Sequence, residues 1–237
     1  LIRHGESAGN VARDRALAQG LAVIDIAQRD CDVPLSQAGE QQAESLACWL
    51  EREGRVPDVI YCSPYLRAQE TARLACAAGR WDIPVLQDER LREKEFGMLD
   101  RLTRSGIEAR FPEQVEMRRR LGKFYYRPPG GESWVDVILR LRSALDSIEN
   151  RYGGKRIAIV SHQVVVLCMR YILEQLDEAQ ILAIDAIGDV ANCSLTAYDR
   201  DESTPCGYRL RCYNETAPLE EEGAPVTAEP DVPAGPK

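Results

Sequence analysis

Two short apolar runs, Val59-Ile60-Tyr61-Cys62 and Ile157-Ala158-Ile159-Val160, constrain this chain more than any other feature. Each is apolar at every position rather than every second one. That suits a strand covered on both faces, as in a central parallel sheet. Each is followed by helical periodicity. Ser63-Pro64 after the first run suits the N-cap and first turn of a helix reaching about residue 78. Gly153-Gly154 forms the turn into the second run, and another helix follows His162. Residues 36–53 place Ala43, Leu46, Ala47 and Leu50 on one helical face. Trp134, Val137, Ile138, Leu141, Leu145 and Ile148 form a second stripe behind Gly130-Gly131. Leu1-Ile2 reads as the end of a strand, and residues 194–198 and 207–213 as two later ones. Strands alternating with amphipathic helices specify an α/β domain, with a mostly parallel central sheet and helices on both faces, a three-layer sandwich.

The charge distribution narrows the partners. A net charge of -8 excludes a general nucleic-acid binder, which needs a basic face. No stretch approaches the roughly 20 apolar residues that cross a bilayer, so no membrane role is expected. Residues 215–237 hold six acids against one base, five prolines and no aromatic residue, which reads as a disordered acidic tail. The folded domain is therefore expected over residues 1–214. The eight cysteines include no Cys-x-x-Cys pair. Structural zinc is not indicated, and reduced thiols in a cytoplasmic setting are expected. Nothing in the pattern selects a monomer or a homo-oligomer.

In folds of this class ligands collect past the carboxyl ends of the strands. Three such ends carry polar groups: Arg3-His4-Gly5, Ser63 with Arg67, and Ser161-His162. The chain has only two histidines, and both stand there. Imidazole so placed suits near-neutral chemistry. Arg3-His4-Gly5-Glu6-Ser7, with Asn10 three places on, resembles the signature of the histidine phosphatase superfamily, which has the phosphoglycerate-mutase-like fold. Four further matches follow in order. They are Pro34-Leu35-Ser36 with Gly39 and Gln42-Ala43, Ser63-Pro64-Tyr65-Leu66-Arg67-Ala68 with Thr71-Ala72, Leu91-Arg92-Glu93-Lys94-Glu95-Phe96-Gly97, and Ser161-His162. Together they span residues 1 to about 198.

The chemistry agrees with the resemblance. A phosphomonoester carries close to two negative charges near neutral pH, on oxygens that need donors. Arg3 and Arg67 supply planar, permanently charged forks for them. His4 can attack phosphorus through a neutral ring nitrogen to give a phosphohistidine. His162 is the second contact to the phosphoryl oxygens, and Asn10 a neutral donor at a helix start. The leaving oxygen needs a proton. The resemblance puts the general acid at Glu93 with Glu95 beside it, and spacing does not separate the two. Ser7 either lines the site or caps the following helix with Glu6. Neither a metal nor any other cofactor is called for, since two histidines with scattered carboxylates make no ligand cluster.

The resemblance covers both phosphatases and phosphoglycerate mutases. Residues 11–33 contain nothing like the Phe-Thr-Gly-Trp segment of the mutases. Gly131-Glu132-Ser133 resembles a phosphatase element, and His162-Gln163 resembles the His-Gln of fructose-2,6-bisphosphatases, which makes Gln163 a substrate contact. The resemblance thus implies a metal-independent phosphomonoester hydrolase acting on small organic phosphates. The alternatives are a mutase and a non-catalytic module that binds phosphorylated ligands. Residues 103–127 include Arg118, Arg119, Arg120, Lys123 and Arg127. They read either as a lid whose cations, Arg119 and Arg127 foremost, hold the rest of an anionic substrate, or as a surface helix with a basic face.

Overall fold

A computed structural model describes residues 1–228 of the chain. The strands are β1 Ile2–Arg3, β2 Val59–Cys62, β3 Val85–Gln87, β4 Ile157–Ser161, β5 Leu195–Arg200 and β6 Tyr208–Glu215. The helices are α1 Ala8–Ala18, α2 Gln37–Arg52, α3 Leu66–Ala78, α4 Arg104–Arg110, α5 Pro112–Tyr125, α6 Trp134–Tyr152, α7 Gln163–Leu173, α8 Glu178–Ile187 and α9 Ala217–Glu220. The strands form one six-stranded sheet in the order β3-β2-β4-β1-β5-β6. Pairing is parallel from β3 to β1 and antiparallel from β1 through β5 to β6. The result is the expected three-layer α/β sandwich.

The two apolar runs explain the layers. Along β2, Val59 and Tyr61 face a core built with Trp134, Val137, Ile138 and Leu141 of α6 and with α7. Ile60 and Cys62 face the other core, with Leu46 and Leu50 of α2 and Ala68 and Ala72 of α3. A strand buried on both sides has no polar alternate positions, which is why these runs are uninterrupted.

Three expectations are corrected. Ser63 does not cap α3, whose N-cap is Tyr65; the serine hydroxyl accepts from the Tyr65 amide and faces His162 instead. Residues 103–127 do not bring their cations to the site as a clamp: they form α4 and α5, a helical pair packed on a small core of Leu102, Ile107 and Tyr126. Order does not stop at residue 214. Leu219 of α9 is fully buried against the α2 core, and Arg52 of α2 pairs with Glu221 and Glu222. One apolar anchor and one matched cation thus hold a segment whose composition alone reads as solvated. The rest of the expected tail, residues 229–237, lies outside the described residues.

The turn after β1 packs backbone to backbone on the start of α2. A Cβ added at Gly39 would stand 2.0 Å from the Glu6 carbonyl oxygen, and one added at Gly5 would stand 2.5 Å from that of Gly39. Backbone cannot yield as a side-chain tip can, so Gly39→Ala is expected to cost about 2–3 kcal/mol by overpacking. An unchanged midpoint in chemical denaturation would contradict this packing.

Candidate active site

The register of the sheet assembles the site. β1 pairs with β4 so that Arg3 stands opposite Ser161, and the His4 amide donates to the Ser161 carbonyl at 2.9 Å. The residues one step further, His4 and His162, therefore meet at the carboxyl ends of adjacent central strands. Their ring centroids are 5.1 Å apart. β2 ends beside them, and its Ser63 hydroxyl lies 2.8 Å from His162 Nε2.

The proton on His4 is located by its neighbours. Nδ1 lies 2.7 Å from the Gly5 carbonyl oxygen, which can only accept, so Nδ1 carries the hydrogen. Nε2 then presents its lone pair, and Arg67 Nε donates to it at 3.2 Å. His4 as a whole is 4% exposed. Burial, then the charges of Arg67 and Arg3, hold His4 well below its ordinary value of 6.5. His162 is held low as well, by burial first and then by Arg67. The fully buried His162 does not line the pocket, and its Nδ1 has no hydrogen-bond partner.

A pocket opens over His4, lined by Arg3, Ser7, Asn10, Arg67, Glu93 and Gln163 among others. Ser7 caps α1, and its amide and hydroxyl both donate to Asn10 Oδ1. Asn10 is thereby left to offer its NH2 group to the pocket. Gln163 opens α7; its Nε2 donates to Asp189 at 2.8 Å, and its buried Oε1 has no partner. Arg67 is nearly buried, and its Nη1 also donates to the Asp30 carbonyl at 2.6 Å and carboxylate at 3.0 Å. Arg3 Nη1 donates to the Val190 carbonyl.

Geometry distinguishes the two acids that spacing left equal. Glu93 lines the pocket, whereas Glu95 accepts the Tyr65 hydroxyl at 2.8 Å and does not line it. The loop between them hangs on Glu132. Its carboxylate accepts from Arg92 Nη2 at 2.6 Å, Arg140 Nε at 2.9 Å and the Glu95 amide at 3.1 Å. Arg140 in turn donates to the Arg90 and Glu93 carbonyls. Glu132 is the acid of the Gly131-Glu132-Ser133 element, so that resemblance marks the support of the acidic loop.

Two expected contacts are displaced. Arg119 pairs with Glu116 on the exposed face of α5, and Arg127 pairs with Asp136; neither lines the pocket. Intrahelical and local carboxylates hold both cations. The outer walls come from elsewhere: Arg13 on α1, Ile24, Ile26, Gln28, Asp30 and Val33 on one segment, and Phe96, Leu99, Asp100 and Arg101 on another. Arg13 follows Ser7 and Asn10 at helical spacing, a signal that could have found it. The two wall segments are joined by the Val23–Leu102 bridge, by the Ile24 amide on the Arg101 carbonyl and by Thr103 Oγ1 on the Leu21 carbonyl. No sequence pattern announces that pairing. Among the described residues no group of three or more histidine, cysteine or acidic side chains is arranged to hold a metal ion.

A family model for the histidine phosphatase superfamily, branch 1, matches residues 1–216. The chain belongs to that superfamily. A probable phosphoglycerate mutase GpmB of Yersinia enterocolitica is 32% identical over 225 residues, covering 93% of this chain and 94% of that protein. A 2,3-bisphosphoglycerate-dependent phosphoglycerate mutase of Methylobacterium radiotolerans is 31% identical over 185 residues, 76% of this chain and 81% of that one. Among solved structures, Bacillus stearothermophilus YhfR superposes with a TM-score of 0.72 at 28% identity, over 90% of this chain and 95% of that one. A mycobacterial glucosyl-3-phosphoglycerate phosphatase complexed with VO3 gives 0.70 at 26% identity, over 90% and 97%. Members of this superfamily, mutase or phosphatase, are enzymes, and a small phosphorylated substrate fits the family.

The depressed histidine values have a checkable consequence. Both rings are expected to stay neutral as the pH falls through 6.5. Unfolded histidines take up protons in that range and the folded ones do not. The stability they contribute is therefore complete above pH 6.5 and is lost as pH falls below it. Imidazole NMR signals should show no titration at 6.5; a normal titration of His4 would contradict the buried, cation-flanked site.

Proposed function

We propose that the chain is a phosphomonoester hydrolase working through a phosphohistidine on His4. The observation that carries the reading is the state of His4: Nδ1 protonated on the Gly5 carbonyl, Nε2 with its lone pair held at Arg67, in a pocket lined by Glu93. His4 Nε2 attacks phosphorus, the bond from phosphorus to the ester oxygen breaks, and protonated Glu93 gives its proton to the leaving oxygen. Glu93, now a carboxylate, takes a proton from water. The resulting hydroxide attacks phosphorus, the P–N bond breaks, and inorganic phosphate leaves with the imidazole restored. Arg3 and Arg67 hold the phosphoryl oxygens and Asn10 donates to one of them, while the buried His162 packs against His4 with ring centroids 5.1 Å apart.

Hydrolysis is preferred to isomerisation because of the outer walls. Ile24, Ile26, Val33, Phe96 and Leu99 make them largely apolar, and Asp30 and Asp100 offset Arg13 and Arg101. The Arg101 guanidinium already donates to the Ile26 carbonyl at 3.1 Å and the Gln28 carbonyl at 2.7 Å. A mutase must hold a second phosphate or a carboxylate there, and these walls carry no net positive charge for it. The substrates are accordingly phosphomonoesters of small organic alcohols. The mutase reading is supported by the names of the relatives. The eight free thiols, three of them buried, suit a reducing compartment such as the cytoplasm.

Phosphate release from a panel of small phosphomonoesters, with isomer formation from 3-phosphoglycerate followed in parallel, tests the reading. Phosphate release is expected, unaffected by EDTA because the arginines supply the positive charge, and lost in His4→Ala. Isomer formation without phosphate release would establish the mutase instead. Arg67→Ala is expected to lower kcat/KM by about 100-fold, roughly 3 kcal/mol, as loss of an anion-site donor does. A loss below tenfold would remove Arg67 from the transferring group.

A further inference from the structure

We propose that Thr227 is a positioning residue for the nucleophile loop, closing a ring of hydrogen bonds that holds His4-Gly5-Glu6 from both ends. The proposal rests on His4 being the nucleophile. The ring can be traced donor by donor. The Glu6 amide donates to Gln42 Oε1 at 2.8 Å. Gln42 Nε2 donates to Thr227 Oγ1 at 2.8 Å and to the Pro225 carbonyl at 2.9 Å. Thr227 Oγ1 donates to Asn192 Oδ1 at 3.1 Å, and Asn192 Nδ2 donates to the His4 carbonyl at 3.0 Å. The Asn192 amide donates back to the Thr227 carbonyl at 2.8 Å.

The chemistry of the ring leaves little freedom. A backbone N–H can only donate, so the oxygen of Gln42 must face Glu6. A carbonyl can only accept, so the NH2 of Asn192 must face His4. That leaves an amide NH2 and an amide oxygen pointing at one spot between two side chains that are 0% and 1% exposed. A group bridging them must accept from one and donate to the other at once, which a hydroxyl does and no aliphatic side chain can. Thr227 supplies it. Loss of the hydroxyl removes one of the two acceptors of the Gln42 NH2 group and the donor to the buried Asn192 oxygen, so the two side chains that hold the ends of the loop lose the link between them. The Gly5 carbonyl, which fixes the proton on His4 Nδ1, belongs to that loop. Thr227 touches neither ring nor pocket, so its effect is on the aim of His4 and not on the arginines that bind the anion.

The test uses the full chain as wild type, Thr227→Val and Thr227→Ser, with melting temperatures confirming that each is folded. Thr227→Ala, which brings no extra methyl near the amides, repeats the test should the valine variant fail to fold. Single-turnover transfer from 4-nitrophenyl phosphate to His4 is expected to slow about tenfold or more in Thr227→Val, as small misplacements of a reacting group do, and to stay within about twofold in Thr227→Ser. Inhibition by inorganic phosphate should be unchanged in both. The His4 Nδ1 proton, resolvable because the chain has two histidines, should exchange with solvent faster in Thr227→Val alone. Wild-type transfer and exchange in the valine variant would overturn the proposal, as would a serine variant as slow as valine. No transfer in the wild-type chain would overturn the hydrolase reading instead, and the exchange measurement would still decide whether Thr227 orders the loop.

Discussion

One constraint governs the site: an imidazole must be kept neutral, with its proton on a chosen nitrogen, between two guanidinium groups. Exposure to water would let the ring protonate, and removal of the Gly5 carbonyl would let it turn. His4 is therefore buried at the floor of the pocket, where burial and the charges of Arg67 and Arg3 act in the same direction. The surrounding architecture can be understood as what this demands. The β1–β4 register brings His162 beside it, Gly39 lets α2 meet the turn at backbone distance, and Thr71 accepts from the Gly5 amide at 3.0 Å.

A second division runs between chemistry and recognition. His4, His162 and Arg67 stand at strand ends and on the first turn of a helix, elements that sheet packing holds in place. The outer pocket is built from two loop segments stitched to each other, the first of them also held through Asp30 by Arg67 of α3. Glu93 belongs to neither group: it is carried by a loop but held by Glu132 and Arg140 from α6 and the turn before it. Its position is thus tied to a core helix although its own segment is irregular.

Much of this was legible before any coordinates. Runs such as Val59–Cys62 and 157–160 announce buried parallel strands because nothing polar can stand on either face. The two histidines at strand ends, and the arginines beside them, follow from where such folds place ligands. What sequence missed has a common cause. Arg119 and Arg127 looked like a substrate clamp because charge without geometry does not say which carboxylate is nearer, and Glu116 and Asp136 were. The segment after Thr216 looked solvated because a single buried leucine weighs little in a composition dominated by acids and prolines. The pairing of residues 21–24 with 101–103 joins irregular segments with no period of their own. Long-range partners of loops leave no local trace.

The antiparallel β5–β6 hairpin at the sheet edge has a consequence for how the molecule comes to be finished. By reversing direction twice, it returns the chain to the end of the sheet from which it started, so that residues near 227 can reach residue 42 across 185 positions of sequence. During synthesis the His4-Gly5-Glu6 loop is made well before residues 192 and 227 and must wait for them before these supports arrive. The hydrogen bonds around it are among the most non-local in the molecule, and such links close late because the intervening chain must be ordered first. A growing chain would hold the strands and both cores well before it held a properly aimed imidazole, so competence of the site would report completion of the fold.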